Sequence, residues 1–229
     1  MKKIIITFIV GCLFIIPASA QVRLGVEAGM NLSHFKYSQS GKTQKVDGMK
    51  PGFQIGVTAD YEFEKHWMLI TGVSFMQTHS NMKLATYTNA FYFPNTEIKL
   101  NHLTIPLKVG YNIHINDNLS LIPSVGWYGS INFSAGNASL KYIDGDEIRH
   151  TNWKPMDGYS YEISADLPHP ITASVGACRH WTYGATGELK AIIRKHYTVG
   201  FSYYEDIKKV QKQNDLRNYG FQLSVGYKF

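Results

Sequence analysis

The sequence predicts an all-β protein: an eight-stranded antiparallel transmembrane β-barrel, up-and-down in topology, with long extracellular loops. Three observations carry that expectation. First, the stretch Tyr219–Phe229 alternates strictly. Tyr219, Phe221, Leu223, Val225, Tyr227 and Phe229 are large and apolar, while Gly220, Gln222, Ser224, Gly226 and Lys228 between them are small or polar. Period-two alternation is a strand with two unlike faces, and an aromatic face kept up to a final Phe suits a closing membrane strand, apolar to lipid and polar to the lumen. Second, after the first twenty residues no apolar run reaches the roughly 20 residues a spanning helix needs, although Tyr, Phe and Trp are abundant. Third, alternating segments recur eight times, and their connections are short and long by turns, the plan of barrels with turns on one side of a membrane and loops on the other.

Met1–Ala20 reads as a secretory signal peptide and residues 21–229 as the outer-membrane barrel domain. Lys2 and Lys3 form a basic start, Ile4–Ile16 an apolar stretch, and Ala18-Ser19-Ala20 a small-residue cleavage site. No cysteine follows that site, so it is not a lipoprotein signal. Cys12 leaves with the signal; Cys178 is then alone, which excludes an intramolecular disulfide and reads as a small packing residue. The net charge of +6 falls by two on cleavage and is dispersed, so no nucleic-acid partner is expected. Basic loops suit outer-membrane lipid and its anionic lipopolysaccharide.

In chain order, Val22–Leu32 alternates with Val22, Leu24, Val26, Ala28, Met30 and Leu32 on one face, and residues 35–50 read as a polar loop. Phe53–Phe63 is the second strand, closed by a tight connection at Glu64-Lys65-His66. The third begins at Trp67 and is the least clean, because Met68, Ile70 and Met76 fall on the polar side. A long loop is expected over 79–97, then a fourth strand over about Ile98–His114, with Lys108, His102 and His114 pointing inward. Asn116-Asp117-Asn118 suits a short turn, and the fifth strand is about Leu119–Phe133. The longest loop is expected over 134–170, with a hairpin around Asp144-Gly145. The sixth strand runs to Ile193, its start lying anywhere from Ile171 to Tyr183. Arg194-Lys195-His196 is a turn with the same chemistry as Glu64-Lys65-His66. Tyr197–Tyr203, a charged loop over 205–217 and the final strand complete the count. Both termini and the short turns then share one side, which places both termini in the periplasm. A soluble lipocalin-like barrel is the rival, but the polar face is rich in Gly, Ser and Asn and poor in long solvated charges, which favours a narrow lumen.

The chain resembles the PorT-like family of small outer-membrane β-barrel proteins. Gly25-Val26-Glu27-Ala28-Gly29-Met30-Asn31 is similar to that family's G-x-x-x-G-x-N opening. His102-Leu103-Thr104-Ile105-Pro106-Leu107-Lys108 is similar to its Y-L-x-I-P-L strand, Val125–Gly129 to the G-x-Y-x-G segment, and Gly226-Tyr227-Lys228-Phe229 to its G-Y-x-F end. The resemblance covers 22–229; the 134–170 insertion and the 171–193 region depart from it. It implies assembly by the barrel-assembly machinery, reading Tyr219, Phe221, Leu223, Val225, Tyr227 and Phe229. It implies no particular activity.

Expected inward charges are Glu27, Asp60, Glu62, Lys108, Glu188, Lys190 and Lys228. An eight-stranded barrel is just wide enough for side chains to fill, so mixed signs point to paired charges and a plugged lumen. None of the nine histidines has ligand spacing such as H-x-H or H-E-x-x-H, and His102, His114 and His180 are expected on the lumen side. Ser124 and His102 are both inward, yet no G-x-S-x-G or other arranged nucleophile accompanies them. No catalytic residue, cofactor or metal is expected. The loops hold aromatics among polar residues, Tyr87, Phe91, Tyr92, Trp153, Tyr159 and Tyr161, which suit an envelope protein or glycan partner. The expected function is a non-enzymatic outer-membrane barrel that presents loops for binding or serves an envelope complex. The alternatives are a small channel or nutrient-uptake accessory, and a rim-located lipid or peptide hydrolase.

Overall fold

Eight long strands pair in one closed sheet: β1 (Val22–Gln39), β2 (Lys50–Glu62), β3 (Trp67–Leu84), β4 (Phe93–Tyr111), β5 (Leu119–Ala135), β6 (Trp181–Ile193), β7 (Tyr197–Asp206) and β8 (Asp215–Lys228). The computed structural model describes residues 22–39, 42–44, 48–84, 93–135, 138–144, 147–153, 156–157, 159–163, 171–175, 178–210 and 215–229. Each strand pairs antiparallel with the next, and β1 closes on β8 with Glu27 opposite Gly226. Closure removes every edge and satisfies the backbone within the sheet, as lipid requires. The short strand Ile113–Asn116 continues β4 beyond Asn112 against the start of β5.

The register sets the two faces. Val125, Trp127, Leu223 and Val225 are each more than half exposed on the outside, while Ser124, Ser130, Ser224 and Lys228 are buried inside. Aromatics collect at the ends of the apolar band. At the short-turn end Trp67 meets Tyr111 edge-on at 5.3 Å and Tyr227 meets Tyr197 at 5.7 Å. Midway along β7, Phe201 stacks on Phe221 at 5.9 Å. In β4, Pro106 has no N–H to give, and the β3–β4 pairing is interrupted between Thr71–Leu107 and Ser74–Thr104 without a change of register. The Thr71 hydroxyl donates to the Pro106 carbonyl at 2.8 Å instead.

Several strands exceed the sequence reading. β1 runs to Gln39 through the expected loop at 35, because Phe35 points inward and is fully buried; a large apolar residue on the polar face ends the visible alternation without ending the strand. β3 and β4 extend to Leu84 and from Phe93, so the 79–97 loop is mostly ladder. Beyond the lipid band a strand needs no apolar face, and its polarity reads as loop. β6 starts at Trp181; Ile171–Val175 instead pairs with Tyr159–Ile163 in a separate hairpin. Ala138–Asp144 and Glu147–Trp153 form the hairpin expected around Asp144-Gly145.

The two charged turns are not copies of each other. Glu64–His66 is a single 3₁₀ turn ending in His66 at φ 73°. Arg194 and Lys195 both have positive φ, 49° and 66°, and His196 N–H donates to Ile193 C=O at 3.2 Å. Two successive left-handed residues are the turn backbone that favours Asn-Gly, here within a three-residue connection, since Ile193 pairs with Tyr197. In the third short connection, Asn118 N–H donates to the Asn116 side chain at 2.9 Å.

Candidate functional site in the barrel lumen

From the short-turn end upward, the lumen is filled in layers. Met68 and Ile70 of β3, Ile122 of β5 and Ile192 of β6 form a buried apolar cluster. Their inward position explains why β3 breaks the alternation. Alongside and above lie the charges. Lys228 Nζ contacts Asp60 at 2.7 Å and donates to the Thr58 hydroxyl at 2.7 Å. Glu188 takes Lys108 on one oxygen and Lys190 on the other, the latter at 3.4 Å. Lys190 reaches on to Glu27 at 3.3 Å. Six of the seven expected inward charges therefore meet as ion pairs. Glu62 stands apart near the short-turn rim, where it takes Arg23 at 3.3 Å and the His66 ring at 3.5 Å. The sequence reading did not count Arg23 among the charges, although its parity with Glu27 places it on the same face.

Above the charges the lumen changes character. Tyr128 on β5 donates to Asp206 at 2.7 Å, and Asn218 N–H reaches the second carboxylate oxygen at 3.3 Å. Tyr128 and Tyr204 meet edge-on at 6.3 Å beside Met76. The rings fit because the positions facing them are glycine: a Cβ at Gly184 would lie 2.4 Å from the Tyr128 hydroxyl, and one at Gly220 2.6 Å from that of Tyr204. Around them is a polar chamber of about 70 Å³, lined also by Gln54, His102, Thr104, Ser130, Asn132 and Thr182, and bordered on its lower side by Glu27, Lys108 and Glu188 of the charge chain. At 10–15 Å³ per water that is room for roughly five. Gln54 Nε2 and His102 Nδ1 are buried there without a protein partner. Leu100 and Val210 line the chamber toward the long-connection end, where Arg179 N–H donates to Val210 C=O at 2.6 Å. Asp206, which organises this layer, was assigned to a loop in the sequence reading. The signal that could have found it is the unbroken inward series Thr198, Gly200, Ser202, Tyr204, Asp206.

A closed eight-stranded barrel with an apolar outer wall and a charged, filled interior is a membrane barrel, and residues 6–229 match the profile described as outer membrane protein beta-barrel domain. The chain belongs to that family. It is similar to the solved structure of Ail, the attachment invasion locus protein of Yersinia pestis in complex with the heparin analogue sucrose octasulfate (16% identity, 91% of this chain and 99% of that one, TM-score 0.44). It is also similar to Neisserial surface protein A (17% identity, 90% and 97%, TM-score 0.43) and to OprG from Pseudomonas aeruginosa (11% identity, 91% and 94%, TM-score 0.41). No curated protein matches the chain.

In this outer-membrane barrel several sequence-predicted positions move. His114 was expected in the lumen; it keeps that parity, opposite Ser120, but lies at the short-turn rim below the filled interior and is exposed, its ring 5.0 Å from that of His66. His180 was also expected inside; it is exposed at the opposite rim, with Nδ1 at 3.3 Å from Asn132 C=O. His102 is buried in the chamber as expected. Ser124 and His102 do not form a pair: His102 lies opposite Asn132, eight residues up β5 from Ser124, roughly 26 Å along the strand at 3.3 Å per residue. Cys178 is buried, and burial pushes its thiol up to about 12, which makes it inert rather than nucleophilic. Among the described residues no group of three or more His, Cys, Asp or Glu could hold a metal. Tyr87, Phe91 and Tyr92 lie outside the described residues. Trp153, Tyr159 and Tyr161 sit on the two hairpin strands, and their side chains also lie outside what is described. The terminal series Tyr219, Phe221, Leu223, Val225, Tyr227 and Phe229 lies on the outward face, with Phe229 73% exposed.

Proposed function

We propose that this outer-membrane barrel is a plugged, non-enzymatic anchor that holds its long-connection end outside the cell for binding, either to a glycan or as part of an envelope complex. The observation that supports this most is the filled short-turn half of the lumen. The Met68–Ile70–Ile122–Ile192 cluster and the Lys108–Glu188–Lys190–Glu27 chain occupy the space an ion would need. In this reading the termini and short turns are periplasmic, Met1–Ala20 is removed on export, and the outward aromatics of β8 are the assembly signal. Within the family, the motifs at Gly25–Asn31 and His102–Lys108 favour the PorT-like branch.

Planar-bilayer recording of the refolded mature chain tests this, with heat-modifiable gel migration as the folding check. Folded protein with no conductance is expected; stable discrete channels would overturn the plug and make solute passage the function. An epitope at Gly145 should be accessible to antibody on intact cells and one at Asp117 should not. The reverse pattern would overturn the orientation.

A further inference from the structure

Two histidines far apart in the chain meet at the short-turn rim. His66 ends the β2–β3 turn, and His114 lies on the short strand that continues β4. Asn112 N–H donates to His66 C=O at 2.8 Å, which ties the turn to the strand that carries His114. The two ring centres are 5.0 Å apart, with their planes at 62°. Both residues are exposed, so solutes in water reach them. Tyr111 stands edge-on to the His66 ring at 6.2 Å and is itself met by Trp67 at 5.3 Å. Glu62 Oε1 lies 3.5 Å from Nδ1 of His66. A carboxylate beside that nitrogen keeps the proton there and leaves the Nε2 lone pair open.

We propose that this pair is a binding site for one divalent first-row transition ion, with zinc as the reference case. His66 and His114 supply two imidazole nitrogens, Glu62 orients the first ring, and water fills the remaining positions. A tetrahedral ion bound at about 2.0–2.1 Å by two imidazoles puts their ring centres roughly 5 Å apart, which matches the separation here. The carboxylate beside His66 completes the carboxylate–histidine–metal arrangement, in which the outer group fixes the ring and raises its basicity. Arg23 holds the other Glu62 oxygen at 3.3 Å, so Glu62 is engaged as a positioning residue rather than as a ligand. Among the described residues no set of three His, Cys, Asp or Glu is assembled, so the site is a two-imidazole one with open positions. Imidazole suits zinc, copper and nickel, whereas magnesium and calcium take oxygen ligands. His196 at the same rim is engaged otherwise: its Nδ1 donates to Lys228 C=O at 2.9 Å, and its ring stacks on Tyr227 at 5.4 Å. The site is independent of whether the lumen conducts.

Isothermal titration of the refolded, untagged mature chain in detergent with Zn²⁺ alone, at neutral pH, tests the proposal. One saturable Zn²⁺ per chain is expected, and no binding of Mg²⁺. His114→Ala and His66→Asn should each abolish that binding, asparagine being suited to the left-handed backbone of His66, φ 73°. His196→Ala should leave it unchanged. Glu62→Gln should weaken it about tenfold, the low end for loss of an outer carboxylate. Copper binds such ligands more tightly than zinc, so electron paramagnetic resonance of the Cu²⁺-loaded chain reads the ligands directly. Two coupled nitrogens are expected in the unaltered protein and in Glu62→Gln, and one in either histidine variant. Heat-modifiable migration checks that each variant is folded. No saturable Zn²⁺ binding in the unaltered chain, or binding that both histidine variants keep, would overturn the site. An affinity unmoved in Glu62→Gln would overturn the carboxylate's part in it.

Discussion

The two halves of the lumen solve the same problem differently. Near the short turns, buried cations and carboxylates meet each other directly: Lys228 with Asp60, and Lys108 and Lys190 with Glu188. Near the long connections, Asp206 is held by a tyrosine hydroxyl and a backbone N–H instead, and a chamber with room for water surrounds it. The first half is bolted by charge and sealed with isoleucine and methionine. The second is packed with aromatic rings over glycine and leaves Gln54 and His102 to water. In the short-turn half, removing one partner strands a charge, most fully at Lys190, Lys228 and Asp60, which lie away from the chamber that Lys108 and Glu188 border; around Asp206, water can take the place of a lost group. The halves should therefore respond differently to equivalent changes.

Glu188→Ala should be the most damaging, because it strips Lys108 and half the contacts of Lys190. Breaking a buried pair costs about 3–5 kcal/mol, read as a lower urea midpoint in lipid or detergent. A cost under about 1 kcal/mol would mean that water already reaches the charges and that the halves do not differ. Gly184→Ala comes next. Its Cβ collides with the Glu205 carbonyl and Tyr128, and overpacking of this kind costs about 1–3 kcal/mol, whereas Gly129→Ala, with open space around it, should change the midpoint little. Tyr128→Phe removes one bond to a carboxylate beside a hydratable chamber. The cost should sit at the low end of the roughly 1–3 kcal/mol for an unsatisfied buried group, clearly below Glu188→Ala. Replacing Arg194-Lys195 by Asn-Gly should stabilise the barrel by about 1 kcal/mol, since left-handed backbone costs an ordinary residue roughly 1–2 kcal/mol.

The smallest effect is chemical. With its thiol raised to about 12, Cys178 in the folded barrel should alkylate at pH 8 at least about a hundredfold more slowly than in urea, followed by mass spectrometry. The raised folded value also sets a direction for stability. Below the unfolded thiol's value, near 9, protonation is the same in both states and there is no effect. Between that value and 12 only the unfolded state ionises, so the barrel loses stability as pH rises. Rapid labelling of folded protein would show that the 178–180 segment opens readily.

Much of this was legible in the alternation. The outward faces of β2, β7 and β8 and the inward direction of the charges follow from parity along each strand, and the three short turns from their residue types. Three kinds of feature were not. Phe35 is an apolar residue on the inner face and was read as loop, because a rule that the inside is polar cannot place it, whereas parity did put Met68 and Ile70 inward. The upper parts of β3 and β4 lack an apolar face because they rise beyond the lipid band. His114 keeps its inward parity, opposite Ser120, yet is exposed, because at the short-turn rim the strand has run past the filled lumen, and nothing in the local pattern marks where that happens.

The sequence by itself determined which side of the wall each strand residue faces, because side-chain direction alternates with every residue and lipid demands an unbroken apolar face. Which inward residues meet was decided only when the sheet closed. Lys108 finds Glu188 across 80 positions, and Tyr128 finds Asp206 across 78. Those meetings depend on the height at which each strand docks against its neighbours, and that register is a property of the whole barrel rather than of any segment.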